Sequence, residues 1–501
     1  MDKLNQYYVS RRRKKIMNEH HNHTPEWVKN AVFYQIFPDR FAWSNQVSKP
    51  ANFEKWDSLP TTDGFKGGDL VGVYEKLDYL EDLGINAIYF NPIFMSASNH
   101  RYHTFDYYRV DPLLGGNEAF FKLLEEAHKR EIRIVLDGVF NHASRGFFPF
   151  HHIMETGSSS PYYDWFNIKC LPLNAYHTRA NYDCWWNLPA LPKLNTKNPQ
   201  VRKYIFDVAR YWVEKGIDGW RLDVPFEIDD DEFWEEFRDV VKTANPDAYI
   251  VGEIPSEAQR WLGTGRQFDA VMNYQLTHAV LAFFGGNRID RELAEGMMGL
   301  PAPQAANAAQ FAARTTRLLE MYPKEFSYAQ MNLLDSHDMP RFLSLVQGDV
   351  RRLKLAYLFL MTYPGAPTIY YGDEIGMTGG RDPLNRKSFP WDKSKWNQDL
   401  HDYIRELILV RQSMPVLRRG NYEPIYTQER VLAYLRRDHQ EDKVLVIINA
   451  DETPQTVTIS LNSAFDDQST LQDQIGKASF MVENNQLSGI TIPAQSGYIL
   501  A

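Results

Sequence analysis

Three carboxylates each close a short apolar run: Asp223 in "DGWRLDV", Glu253 in "YIVGE" and Asp338 in "NLLDSHD". Arg221 stands two residues before Asp223, and His337 directly precedes Asp338. Strand side chains alternate faces, so Arg221 and Asp223 share one face. Charges on the inner face of a buried strand are costly unless they are paired. A fourth run, "LDGVFNH", adds Asp137, Asn141 and His142. One acidic residue after a strand usually caps a helix. Three such residues, with an arginine and two histidines, point instead to a reacting centre. Glycoside hydrolysis is the chemistry that needs this set. It uses two carboxyl groups about the scissile bond, one as acid and one as nucleophile or base. On this reading Arg221 holds Asp223 ionised by lowering its pKa. Glu253 then needs a raised pKa to donate a proton near neutrality.

These residues need elements to position them. Eight strand candidates occur in order: "AVFYQIFP", "INAIYF", "IRIVLDGV", "IDGWRLDV", "AYIVGE", "FDAVMNY", "QMNLLDSHD" and "APTIYYGDE". Helical patterns lie between most of them. In "VYEKLDYLEDLG", for example, Val73, Leu77, Leu80 and Leu83 keep helical spacing. The alternation predicts parallel strands with crossover helices. Eight units over residues 26–414 predict an α/β fold, a (β/α)8 TIM barrel, whose chemistry sits at the C-terminal strand ends. From about 141 to 197 the pattern breaks into Gly, Ser, Pro, Tyr and Trp. So long an interruption reads as a functional insertion or a small subdomain after strand three. Residues 415–501 alternate with turn residues between, which predicts an antiparallel β-sandwich domain. Residues 1–25 read as a flexible tail.

The 501-residue chain is 44% hydrophobic and 24% charged, ordinary for a globular protein. Its net charge of -9 gives no electrostatic support to a nucleic-acid partner. The basic cluster near the start, "SRRRKK", is not followed by an apolar stretch, and no later run is long enough to span a bilayer. The expectation is a cytoplasmic protein without a membrane partner. Cys170 and Cys184 lack metal-ligand spacing, and whether they pair is left open. So low a cysteine count suits a reducing compartment. Aromatic residues reach 14%; they serve equally for core packing and for stacking on sugars.

From about Trp27 onward the chain resembles the α-amylase family of glycoside hydrolases. "DGVFNH", "DGWRLDVPFE", "VGE" and "LLDSHD" carry the resemblance, in order. It implies that Asp223 is the nucleophile, Glu253 the acid/base and Asp338 the transition-state stabiliser. It implies that Arg221, His142 and His337 bind the sugar at the cleavage point and that Tyr102 stacks on it. The insertion after strand three is similar to the family's domain B. "LPKLN", Leu191 to Asn195, and "GGRDPLNR" resemble the neopullulanase, cyclomaltodextrinase and maltogenic amylase subgroup. There Asp382 and Arg386 would contact the neighbouring sugar on the non-reducing side; the alternative for them is a plain surface ion pair. The implied substrates are α-glucans: maltooligosaccharides, cyclodextrins, pullulan or short branched glucans, cut at α-1,4 or α-1,6 linkages, with transglycosylation as a variant.

The chain also departs from the subgroup. The stretch before "EWVKNAVFYQIFPDRF" is too short for the subgroup's β-domain, so none is expected there and the oligomeric state is left open. Ile254 and Pro255 follow Glu253, and Pro225 and Phe226 follow Val224, where the subgroup carries other residues. These positions, Phe226 among them, face the leaving-group side, so that pocket is expected to be rebuilt. "FKGGD" resembles one end of a calcium site, but "AWSNQVSKP" stands where oxygen ligands would lie. Calcium needs six or more oxygens; no cofactor and no essential metal are expected. Two competing readings remain. One is a non-catalytic carbohydrate-binding protein on this fold, which has no need of all three carboxylates. The other is a sugar-phosphate or nucleotide barrel enzyme, which "YPGAPTIYYGDE" does not favour because it carries no basic residue.

Overall fold

The computed structural model describes residues 23–439 and 442–501. Most of the expected tail lies outside the described residues. Order nevertheless begins before the expected boundary, because Thr24 is buried and its hydroxyl donates to Glu325 Oε1 at 2.6 Å.

All eight predicted strands form: β1 Phe33–Ile36, β2 Ala87–Phe90, β3 Arg133–Gly138, β4 Gly219–Leu222, β5 Tyr249–Gly252, β6 Ala270–Val271, β7 Met331–Leu333 and β8 Ala366–Tyr370. They pair in parallel in the order β6-β5-β4-β3-β2-β1-β8-β7. A parallel bridge between Met272 and Met331 closes the ring. Every residue of β1, β2, β4 and β5 is buried. That is why these strands read as unbroken apolar runs rather than alternating ones. Helices cover the outside. Phe233, Phe237 and Val241, four residues apart, are the buried stripe of Asp231–Ala244. Asp230 caps that helix by accepting from Phe233 N. Gly84 ends the helix Leu77–Leu83 at φ 92°, a conformation suited to glycine.

The insertion after β3 is not structureless. It holds the helix Phe148–Thr156 and a set of antiparallel bridges, Ile168 to Tyr182, Phe166 to Leu194, His142 to Lys193 and Cys184 to Pro192. Cys184 is paired with Pro192 in this set, and both thiols are free.

Beyond the helix Pro415–Arg419, a four-stranded antiparallel sheet forms from Asn421–Gln428, Val431–Arg437, Lys443–Asn449 and Ser496–Leu500. Its strand Val431–Arg437 is buried on both faces. Leu432 and Tyr434 join the barrel core, while Val431, Ala433 and Leu435 join a second core with Val457, Ile459 and Leu487. Period-two alternation therefore sorts one strand between two cores.

Candidate active site

The C-terminal ends of β3, β4, β5 and β7 bring the predicted residues together. Arg221 lies at the centre, fully buried. Its Nη1 donates to Asp137 Oδ1 at 2.9 Å and Oδ2 at 3.1 Å, and to Asp223 Oδ1 at 3.0 Å. Its Nη2 stands 2.8 Å from Glu253 Oε1. That last contact is a charge contact outside hydrogen-bond alignment, since Nη2 makes no hydrogen bond. One guanidinium thus meets three carboxyl groups.

Burial raises both reacting carboxyls. Asp223 lies well above the ordinary aspartate range because desolvation outweighs the pull of Arg221, with Glu253, Asp137 and Asp338 adding repulsion. The expected lowering of Asp223 is therefore overturned: Arg221 acts in the expected direction but is outweighed. Glu253 is pushed up to about 7, chiefly by burial, against the pull of Arg221. Arg221 itself is raised far above its usual value; burial pulls it down, but Asp137 and Glu253 prevail. The carboxyls crowd one cation, so Asp223 and Glu253 titrate as a pair.

Between Asp223 and Pro225 the chain is strained. Val224 adopts φ 36° and ψ 50°, a left-handed conformation that a β-branched residue rarely takes. Such strain costs about 1–3 kcal/mol and clusters at functional sites. Here it turns the Val224 N–H toward Glu253 Oε2, 3.1 Å away. The following turn, Pro225–Glu227, leaves Phe226 39% exposed.

On the β7 side, His337 is buried and its pKa falls well below the usual range because burial disfavours the cation, with Arg386 and Arg221 adding to it. Gln35 Nε2 donates to His337 Nδ1 at 2.9 Å. Nε2 therefore carries the proton, 2.6 Å from Tyr102 Oη and 3.1 Å from Asp338 Oδ2. The Tyr102 ring lies parallel to His337 at 5.5 Å, and its hydroxyl donates to Asp137 Oδ2 at 2.9 Å. Arg386 is more than one half of a surface ion pair. It meets Asp382 at 3.2 Å, donates from Nε to the His337 carbonyl at 2.8 Å and reaches Asp338 Oδ1 at 3.3 Å. His142, on the β3 side, is held neutral by burial, its pKa pushed down to about 3. Its Nε2 is buried without a protein partner, and its ring stacks on Trp185 at 5.2 Å. Such a nitrogen is free to meet a sugar hydroxyl.

Sequence reasoning left Asp137 without a role, yet it accepts from Arg221, Tyr89 and Tyr102 and anchors the whole cluster. Its signal was present: it ends β3 as Asp223 ends β4, and the two strands pair Asp137 with Arg221. Gln35, Tyr89 and Trp185 carried no comparable signal.

Among the described residues, no group of three His, Cys, Asp or Glu is disposed to hold a metal ion. The "FKGGD" aspartate, Asp69, is already engaged. It accepts from Gly72 N and Ser44 N, and Lys49 Nζ lies 2.7 Å from Oδ2. The neighbour of Asp69 Oδ2 is thus an ammonium rather than the oxygen ligands that calcium gathers.

A buried carboxylate pair on one guanidinium, at the mouth of a (β/α)8 barrel with an insertion after β3, defines a glycoside hydrolase class. The sequence profile of the alpha-amylase catalytic domain matches residues 35–414. The chain is 46% identical over 432 residues to a cyclomaltodextrinase of Geobacillus thermopakistaniensis, covering 85% of this chain and 70% of that one. It is 45% identical over 442 residues to neopullulanase 2 of Thermoactinomyces vulgaris, covering 87% and 72%. The solved structure of an acarbose-soaked debranching enzyme from Nostoc punctiforme superposes with a TM-score of 0.86 at 48% identity, covering 96% of this chain and 99% of that one. The chain belongs to the alpha-amylase family and is a glycoside hydrolase of its cyclomaltodextrinase and neopullulanase type.

Proposed function

We propose that the protein is a retaining α-glucan hydrolase that removes short α-1,6 branches from maltooligosaccharides, with α-1,4 cleavage as the second activity. The observation that carries retention is the single guanidinium contacting both Asp223 and Glu253. It favours the short separation of retaining enzymes, about 5–5.5 Å, over the roughly 6.5–9.5 Å of inverting ones. Although burial raises both carboxyls, we assign the anion to Asp223, which alone of the two has an aligned bond from Arg221 Nη1, and the shared proton to Glu253. Glu253 gives that proton to the glycosidic oxygen as Asp223 attacks the anomeric carbon. The carbon–oxygen bond breaks, the leaving sugar departs, and a glycosyl ester forms on Asp223. Glu253 then takes a proton from water, which attacks the same carbon and frees Asp223. His142, His337 and Tyr102 orient the sugar, and Asp338, gripped by Arg386, bonds its hydroxyls as charge develops. Asp382 and Arg386 meet the next sugar on the non-reducing side.

Debranching is favoured by two features. The turn Val224-Pro225-Phe226 rebuilds the leaving-group side, and the Nostoc debranching enzyme is matched over almost its whole length. We also propose that no calcium is required and that the enzyme works in a reducing, intracellular setting, in keeping with its two free thiols. The test is product analysis after incubation with maltosyl-branched cyclodextrin. Maltose with an intact ring supports debranching. Ring opening with the branch retained replaces it by α-1,4 attack. No product from this or from linear maltooligosaccharides overturns the glucan reading.

A further inference from the structure

A polar groove of about 920 Å³ runs between the insertion and the turn after β4. Its volume lies within the range of roughly 300–1,000 Å³ usual for ligand sites. Cys184 and Asn187, which flank the Trp185–Trp186 pair, line one wall, and Glu227, next to Phe226, lines the other. A second hollow of about 340 Å³ continues it, sharing Asn167, Lys169, Asp183 and Asn195.

Charge says what fits there. The first groove is lined by four cationic and four carboxylate side chains. Lys193 pairs with Glu227 at 2.8 Å and Lys169 faces Asp183 at 3.7 Å. A balanced wall does not select an anion such as a phosphate; it offers many donors and acceptors to an uncharged polyhydroxylated chain. At the lip a ring column leads out from the cleavage point. His142 stacks on Trp185, and Trp185 stacks on Trp186 at 4.8 Å and 3°. Trp186 is 77% exposed, so its outer face is open. Both Trp186 and Asn187 take left-handed backbone conformations, at φ 51° and 58°. An exposed tryptophan held in a strained turn is not a packing solution; it is a platform of the kind that stacks on a sugar face. The groove is lined by residues that follow β3 and β4, whereas Asp382 and Arg386 follow β8, which stands opposite β4 in the ring. It therefore lies away from the non-reducing side.

We propose that this groove binds the main chain from which the branch is cut, an uncharged α-glucan arm of several units on the leaving-group side, with Trp186 as its stacking platform. The proposal rests on the glucan reading above and makes Trp186 a specificity residue. Two measurements test it. In the first, the Glu253→Gln protein is titrated calorimetrically with a maltosyl-branched maltohexaose, with and without Trp186→Ala. A roughly tenfold weaker binding with Trp186→Ala supports the groove, and equal binding overturns it. No binding by the Glu253→Gln protein itself overturns the glucan reading instead. In the second, the single Trp186→Ala and Trp186→Phe variants are assayed. Trp186→Ala should raise KM for the branched hexaose about tenfold with little change in kcat, and Trp186→Phe should restore most of it. Hydrolysis of α-maltosyl fluoride, whose leaving group never enters the groove, reports on His142 and the catalytic pair alone. Equal losses on both substrates would make Trp186 a mere support for Trp185 and overturn the proposal.

Discussion

Arg221 at the barrel mouth and Arg436 at the seam between barrel and C-terminal sheet are both fully buried, yet their partners differ in kind. Arg221 meets Asp137, Asp223 and Glu253. Arg436 meets backbone carbonyls: Leu417 at 2.7 Å, Gly420 at 2.7 Å, Asn421 at 3.0 Å, and Thr362. Its neighbour Arg411 is held likewise by Met361, Tyr363 and Gly365. Burial lowers the pKa of both seam arginines, that of Arg436 to about 10, whereas carboxylates raise that of Arg221. Carbonyl dipoles engage all three nitrogens of Arg436 without adding a titratable group. They tie the helices Val350–Thr362 and Pro415–Arg419 to the strand Asn421–Gln428. A carboxylate cage instead stores negative charge and a proton beside a cation, which is the raw material of acid–base and nucleophilic chemistry.

The comparison is sharpest under matched substitution. Arg221→Met should lower kcat/KM by about 10³-fold or more, since it strands buried carboxyls without their cation. Arg436→Met should leave kcat within about twofold but destabilise the fold by about 3 kcal/mol, because several buried carbonyls lose their donor while one costly buried charge is also removed. Steady-state kinetics and denaturant unfolding of both variants check this. An active Arg221→Met enzyme, or an inactive but stable Arg436→Met one, would break the distinction.

The two regions were also unequally legible. The eight strands and the carboxylates at their ends stood out because buried parallel strands are continuous apolar runs, and a charge at the end of one is conspicuous. Arg221 and Asp223 announced themselves by period-two spacing. The sharing of Arg221 among three carboxyls did not, because Asp137 and Glu253 come from neighbouring strands, and sequence spacing carries no lateral distance. The upward shift of Asp223 was missed for the same reason: the local partner was visible and the desolvation was not. Arg411 and Arg436 gave no sign at all, since their acceptors are main-chain carbonyls that every residue possesses. The left-handed Val224 was equally hidden, as its side chain argues for ordinary strand.

A pH profile sharpens the carboxylate half of the comparison. With Glu253 raised to about 7, kcat/KM for a glucan should fall about tenfold per pH unit well above that value, because the proton donor is then lost. With α-maltosyl fluoride, whose departure needs no proton from Glu253, that basic limb should flatten. A limb unchanged between the two substrates would detach Glu253 from the role of acid. The same shift has a stability sign. A carboxyl raised on folding contributes stability that is complete below its unfolded value and is lost as pH rises through its folded one, here between about 4.5 and about 7.

Lys66 gives the smallest effect and the closest probe of what a carbonyl cage contributes. Its buried ammonium donates to the carbonyls of Lys55 at 2.9 Å and Ser58 at 2.7 Å and to the Ser58 hydroxyl, and lies 3.1 Å from Glu54 Oε2. This resembles the seam arginines, with one carboxylate added. It differs in exposure, since Lys55 and Ser58 lie at the surface. Water can therefore take over the carbonyls that Lys66→Met would release, which it cannot do at Arg436. The expected cost is about 1 kcal/mol, with faster proteolysis within residues 50–62, unchanged kcat, and a melting temperature indifferent to a chelator in variant and parent alike. A loss as large as that of Arg436→Met would mean that the cage works by its own bonds whatever its access to water. A chelator-sensitive parent would overturn the proposal that no calcium is required.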